Sequence, residues 1–329
     1  MTKKKLKKVL IIRFSSIGDI VLTTPVVRCV QQQLGVEVHY LTKSSFRSLL
    51  EDNPYVDSIF TIEKKVSEVL HQLKQQNYDA IVDLHKNLRS QRIRWGLPVP
   101  YFTFDKINWE KWLMVNFKVN RLPAVHIVHR YMKAVAPLGV VYDGEGLEPL
   151  IFEPTADQSC AYSAAGKIVF AVGGAHATKR LPTEKIIAIC QGIKFPILLI
   201  GGKEDATIGE KIVLFLQRKD VINLCGKTNL KESALLIRQA QKVITHDTGM
   251  MHIAAAFQKQ IISIWGNTIP EFGMYPFYKK GVKNNVSFQV KNLPCRPCSK
   301  IGFKACPKGH FRCMEEMDIQ SIIACANQQ

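Results

Sequence analysis

Alternation of strand and helix signals through both halves of this 329-residue chain predicts an α/β protein, two doubly wound parallel sheets in tandem. Three observations carry the prediction. Short apolar runs rich in Val and Ile recur, and such runs mark strands buried on both faces of a parallel sheet. Segments with helical spacing separate them, as right-handed crossover connections require. The pattern pauses once, over Tyr142–Gly166, where Gly, Pro and acids gather without periodicity, and then restarts. The length suits two domains, each large enough for its own core. The expected division is residues 1–155, residues 156–313, and a C-terminal helix at 314–329 that can pack back on the N-terminal domain.

The first run, Lys8–Phe14 (KVLIIRF), predicts a buried strand. Ser15–Asp19 forms a loop, and Ile20–Leu34 has helical spacing with Pro25 early in it, where proline is tolerated. Further strands are expected at Val36–Leu41, Ser58–Ile62, Ala80–Leu84 and Val99–Phe104, with a helix over Lys65–Gln76. The second half repeats the layout. Strands are expected at Ile168–Val172, Ile197–Ile200, Val221–Leu224, Lys242–His246 and Ile261–Trp265. Helices follow Pro182 and cover Glu232–Gln241, Met251–Phe257 and Met314–Ala326.

Composition narrows the function. With 47% hydrophobic and 22% charged residues the chain is ordinary globular protein. No stretch approaches the roughly 20 apolar residues of a spanning helix. The Lys-rich start precedes Val9–Ile12, but Arg13 cuts that run short of a signal-peptide core, so a cytoplasmic enzyme is expected. Nine cysteines, an odd number, do not read as a secreted disulfide framework. The net charge is +18, and nine Lys or Arg lie between Glu271 and Glu315 with no acid among them. Such a surface suits nucleic acid, anionic lipid or a phosphorylated substrate, or serves only solubility. Nucleic acid is disfavoured, because helix-turn-helix, zinc-finger and RNP signatures are missing. A dehydrogenase is disfavoured because there is no GxGxxG.

Ligands of doubly wound sheets bind at the carboxyl ends of the strands, and five strand-end loops carry chemistry. In Ser15-Ser16-Ile17-Gly18-Asp19 a carboxylate follows a glycine, and Asp19 reads either as a general base or as a helix cap. Gly173–Arg180 (GGAHATKR) places small residues, Thr178 and Lys179 before a helix, which suits a diphosphate or is a plain surface loop. Gly201–Asp205 (GGKED) offers acids for ribose hydroxyls, or for a helix start. Thr245–His252 (THDTGMMH) combines Asp247, Thr248, Gly249 and His252 at a helix opening, where unpaired amides favour an anion. Its two histidines lack the spacing of a helical metal motif. Trp265–Thr268 is another strand-end glycine turn.

Together these segments resemble glycosyltransferase family 9, the lipopolysaccharide heptosyltransferases. The resemblance runs through VLIIRFSSIGDIVLTTPVV, HATKRLP, GGKED, HDTGMMHIAAA, WGNT and PCRPC…CPKGHFRCM, in order over nearly the whole chain. It implies a GT-B fold, two Rossmann-like domains facing a cleft, with the acceptor on the N-terminal domain and the nucleotide sugar on the C-terminal one. It implies inverting, metal-independent transfer of a heptose, commonly from ADP-heptose, to the lipopolysaccharide inner core, without a cofactor. Asp19 falls on the family's base and Lys179 on its phosphate-contacting lysine. An acid after the GG turn binds ribose, Glu204 or its neighbour Asp205. Thr178, Asp247, Thr248, Gly249 and His252 complete the expected donor site. Leu181 stands where the family usually has Trp, and the HATK loop is compact. Both departures bear on the donor's sugar and base rather than on the reaction.

Two clusters remain. Arg89, Arg92 and Arg94 follow a strand end and are expected near one side of the sheet, facing acceptor carboxylates or phosphates, or only solvent. Cys295, Cys298, Cys306 and Cys313, with His310 among them, offer either a structural zinc site or packed reduced thiols, and the spacing fits zinc only by half. The expected partners are a nucleotide-sugar donor, a phosphorylated lipid-linked oligosaccharide and an anionic membrane, at the inner face of the inner membrane.

Overall fold

The computed structural model describes residues 5–150 and 162–328. The boundary expected at 155/156 lies outside the described residues. The chain forms two compact units. Unit 1 holds Met1–Lys106 and Val125–Ile151, and unit 2 holds Ile107–Ala124 and Phe152–Gln329.

In unit 1 the elements run β1 (Lys8–Ile12), α1 (Ile17–Val21), α2 (Thr24–Leu34), β2 (Glu37–Lys43), β3 (Ser58–Ile62), α3 (Ser67–Gln75), β4 (Ala80–Asp83), α4 (Leu88–Gly96) and β5 (Tyr101–Thr103). Next in sequence is α5 (Asn108–Phe117), which belongs to unit 2, and then α6 (Ile127–Val135), back in unit 1. The sheet order is β3-β2-β1-β4-β5, every pair parallel. Val9–Ile12 of β1 are fully buried, as a strand covered on both faces must be. One core packs Leu10, Ile12, Leu41, Ile81 and Ile93 against Val69 and Leu73 of α3. The buried Arg28 of α2 clamps the end of the unit, pairing with Asp143 at 2.8 Å and Glu148 at 2.6 Å.

Unit 2 continues with β6 (Ile168–Ala171), α7 (Thr183–Gly192), β7 (Ile197–Ile200), α8 (Ala206–Leu216), β8 (Val221–Asn223), α9 (Leu230–Gln239), β9 (Lys242–His246), α10 (Gly249–Ala256), β10 (Gln260–Trp265), β11 (Asn285–Gln289), α11 (Arg312–Glu315) and α12 (Ile319–Asn327). The order β11-β10-β9-β6-β7-β8, again all parallel, is a full doubly wound sheet. In each sheet the strand order reverses between the first and fourth strands of its own unit, β1/β4 and β6/β9. Ligands of such sheets bind beyond that switch point.

Three features depart from expectation. β11 is an edge strand whose Asn285, Ser287 and Gln289 break the apolar pattern, and Ser287 bonds Ser263 of β10 at 3.0 Å. Half-exposed edges need no apolar run. The last helical segment is two helices, and both belong to unit 2. Ile322, Cys325 and Ala326 join the core of α7 and β10, and Ile323 lies so near Gly192 that a Cβ there would come within 2.6 Å. The buried Lys242 ammonium donates to the carbonyls of Cys325 and Ala326 at 3.3 Å each, which favours a cation at that helix end. The third departure is α5, whose sequence neighbours lie in unit 1. Lys118 donates to Pro297 O at 2.6 Å and Lys111 stands 5.9 Å from the centre of the Phe272 ring, tying the helix to unit 2.

Candidate active site

At the switch point of unit 1, β1 is followed directly by Arg13, which is only 8% exposed. Its guanidinium reaches in four directions. It donates to Ser15 O at 2.8 Å, to the Tyr131 hydroxyl at 3.0 Å and to Leu84 O, and it pairs with Asp19 Oδ1 at 2.6 Å. The other oxygen of Asp19 accepts from Ser16 N at 3.1 Å and Ser16 Oγ at 2.7 Å. Asp19 therefore caps α1, as one sequence reading has it. Its side chain keeps 22% of its surface open, so the same carboxylate is also presented outward. Arg13 was not singled out from the sequence. The signal was there, since a charged residue directly after a buried strand needs a partner for its charge.

Beside it, β4 ends in Asp83, whose carboxylate accepts from His85 N at 2.8 Å and Lys86 N at 2.7 Å and turns the chain into α4. The His85 ring packs edge-on against Phe14 with centroids 5.0 Å apart. Burial, with Arg13 and Lys106 adding to it, pushes this imidazole down to about 3, so it is neutral. Asn87 caps α4 by accepting from Arg89 N and Ser90 N at 3.0 Å. Arg89 and Arg92 are exposed and lie one turn apart on one face. Arg94 does not join them. Five residues on from Arg89 it lies across the helix, with its guanidinium 4.7 Å over the Tyr101 ring. The expected three-arginine side is thus a pair.

The switch point of unit 2 has the same plan with different atoms. The loop after β6 brings Lys179 to Asp247 beyond β9, Nζ to Oδ2 at 2.6 Å and Nζ to the backbone oxygen at 3.2 Å. Thr268 Oγ1, from the turn after β10, donates to the same Oδ2 at 2.7 Å. Asp247 is 9% exposed, and these donors hold it as a counter-ion. Thr248 is the N-cap residue of α10 but makes no side-chain cap, so its hydroxyl does not cover the first amides. Gly249 opens the helix, and His252 is buried within it. His246 accepts from Leu181 N at 3.0 Å, and burial pushes it down to about 4. It braces the loop between Lys179 and α7.

Two expected donor contacts are redistributed. Thr178 is buried, and its hydroxyl accepts from Phe303 N at 2.8 Å and faces Phe303 O at 3.3 Å, so it anchors the loop. Asp205 is 1% exposed. It pairs with Arg180 at 3.1 Å and accepts from Gly202 N at 2.9 Å. Its Oδ2 lies 2.2 Å from where a Cβ of residue 173 would stand, which demands Gly173. Of the two acids, Glu204 is the exposed one.

The cysteine cluster belongs to the 295–313 segment. Cys295 Sγ lies 3.7 Å from His310 Nε2, and Cys313 is pushed up to about 12 by burial first and then by the neighbouring thiols, against the opposing pull of Arg296. Among the described residues no group of three or more His, Cys, Asp or Glu side chains is placed to hold a metal ion. Of the four cysteines, none is in a disulfide, and Cys313 is buried while Cys295, Cys298 and Cys306 are partly buried.

Comparison with known proteins gives the family and the fold. The model of Glycosyltransferase family 9 (heptosyltransferase) matches residues 66–305. A lipopolysaccharide heptosyltransferase 1 from Campylobacter coli is 24% identical over 307 residues, covering 85% of this chain and 88% of the relative. The structure of Escherichia coli ADP-heptose lipopolysaccharide heptosyltransferase II superposes with a TM-score of 0.68 at 19% identity, covering 98% of this chain and all of the other. The E. coli heptosyltransferase WaaC with ADP gives a TM-score of 0.67 at 19% identity, over 85% of this chain and 92% of that one.

Proposed function

The chain belongs to glycosyltransferase family 9, the heptosyltransferases, and on that premise we propose that it moves a heptose from ADP-heptose to a phosphorylated, lipid-linked inner-core oligosaccharide, inverting the anomeric centre without a metal ion. Its parallel α/β units are those of the GT-B fold. The observation that carries the proposal is the Lys179–Asp247 pair at 2.6 Å, set before the opening of α10. A lysine held there, with the helix amides and dipole, takes up the charge of a departing nucleoside diphosphate. The relatives named above act on heptose, and one of them binds ADP, which supports the choice of donor.

The steps follow from these groups. ADP-heptose binds unit 2, its diphosphate at Lys179 and α10 and its ribose at Glu204. The acceptor binds unit 1, its acidic groups at Arg89 and Arg92. The acceptor hydroxyl attacks the anomeric carbon as the C–O bond to the diphosphate breaks, and Asp19 takes the hydroxyl proton. Arg13 and Ser16 hold that carboxylate in place. Attack in line with the leaving group gives inversion. His246, Thr268 and Thr178 position the donor loops.

The test is transfer from ADP-heptose to an inner-core acceptor bearing lipid A. NMR should show an inverted anomeric configuration in the product, and EDTA should leave turnover unchanged. Retention of configuration, or activity lost to EDTA and restored by Mg²⁺, would overturn the mechanism.

A further inference from the structure

The exposed aromatic residues of α5 are not used by the reaction. No residue of this ten-residue helix is buried. Trp109 is 64% exposed, Trp112 43% and Phe117 61%. They form one cluster: the two indoles stack at 5.0 Å with 17° between planes, and Phe117 meets Trp112 edge-on at 5.2 Å. Three contiguous rings facing water are unusual for a surface that touches nothing.

Their setting is cationic. Lys118, at the end of α5, donates to Cys295 O at 3.4 Å and Pro297 O at 2.6 Å. That turn leads directly into Lys300-Ile301-Gly302-Phe303-Lys304, where Ile301 is 61% exposed and Phe303 39%, between exposed lysines. The whole stretch between Glu271 and Glu315 holds nine Lys or Arg and no acid. Eight of those nine are exposed; Arg296 alone is turned inward, onto Gly266 O and Thr268 O.

We propose that α5 is an interfacial anchor, laying Trp109, Trp112 and Phe117 into the headgroup region of an anionic bilayer while the lysines beside it meet the lipid phosphates. Charge complementarity selects this occupant. A second copy of the chain would bring the same +18 and be repelled. Indoles favour the membrane interface, and a basic flank adds attraction to anionic lipid. The inference rests on the reading of a lipid-linked acceptor only for its biological sense. It replaces a purely electrostatic attachment, which the basic charge alone would predict, with one that has an apolar component.

The experiment uses the full chain with vesicles of phosphatidylcholine alone and of phosphatidylcholine with phosphatidylglycerol, neither containing acceptor. Binding to the anionic vesicles should blue-shift the indole emission, and brominated lipid should quench it. A measurable part of the binding should survive ~1 M salt, where exposed charges are screened. Trp109→Ala with Trp112→Ala should weaken partitioning about tenfold or more, with an unchanged melting temperature. Phe215→Ala, which removes an exposed aromatic on α8, should leave it unchanged. Transfer to a water-soluble, delipidated acceptor should be the same in all three proteins. The inference is overturned if quenching is absent, if salt abolishes all binding, if the double variant binds as the wild type does, or if Phe215→Ala weakens binding equally. Failure of transfer in the wild type would strike the proposed reaction and leave the vesicle result to decide the anchor.

Discussion

The two switch points are built alike and present opposite charges. In unit 1 Arg13, the residue just after β1, is the more buried partner, and the carboxylate of Asp19 is the more open one, 10% against 22%. In unit 2 the carboxylate of Asp247 is fixed by Thr268 and Lys179, and the Lys179 side chain is slightly the more open of the pair, 16% against 11%. Both ion pairs are 2.6 Å long. Behind each stands a histidine that burial keeps neutral, His85 against Phe14 and His246 against Phe170. On the proposed reaction, the difference lets one fold serve two halves of a displacement. A base needs an exposed anion, and a departing diphosphate needs an exposed cation. In each pair the charge proposed to work is held by the opposite one, which is the more buried of the two.

The largest effect expected from this division is on the base. Asp19→Asn preserves size but accepts no proton, so kcat with saturating acceptor should fall by about 10²–10⁴-fold. Near-normal kcat would reduce Asp19 to a cap of α1 and break the comparison on its unit 1 side. Next in size is the acceptor side of unit 1. Replacing both Arg89 and Arg92 with Ala should raise the acceptor KM by about tenfold, on the scale of a lost charge-assisted contact. Arg94→Ala should change it little, because Arg94 lies over Tyr101. If the single Arg94 variant matched the double one, the arginine pair would be the wrong face of α4.

The smallest effect separates the buried histidines from the exposed charges. His246 is held near 4, against about 6.5 for a free imidazole. Between those values the unfolded chain binds more protons than the folded one, so stability falls as pH drops from about 6.5 toward 4. His246→Gln retains an acceptor for Leu181 N and removes that titration. Thermal unfolding at pH 7 and pH 5 should show a smaller pH-dependent drop in the variant than in the wild type. Equal drops would mean that His246 is not the group being titrated.

Much of this was legible in the residues, and the misses have physical causes. The strand Ile197–Ile200 is legible to the residue, because burial on both faces leaves an unbroken apolar run, and Lys242–His246 is legible from its β-branched Val, Ile and Thr. β11 escaped because an edge strand carries polar residues. The placement of α5 escaped because it is fixed by Lys118 reaching carbonyls 177 and 179 residues away, and no local pattern records such a contact. In the site, Lys179 and Asp247 were singled out together, yet their pairing was not foreseen. Thr178 and Asp205 illustrate the limit. A hydroxyl and a carboxylate in a glycine-rich loop serve a ligand or the loop itself equally well. Only the bonds to Phe303 and Arg180 show that both hold the loop.

The division of labour between the two switch points is tested most directly by titrating ADP into Asp19→Asn and Lys179→Ala by calorimetry. Asp19→Asn should bind ADP within about twofold of the wild type, since its side chain belongs to the acceptor half-site. Lys179→Ala should bind more weakly by about 1.5–3 kcal/mol, the cost of losing a hydrogen bond to a charged group. ADP affinity that collapses in Asp19→Asn, or persists unchanged in Lys179→Ala, would contradict the assignment of the anion to one unit and the cation to the other.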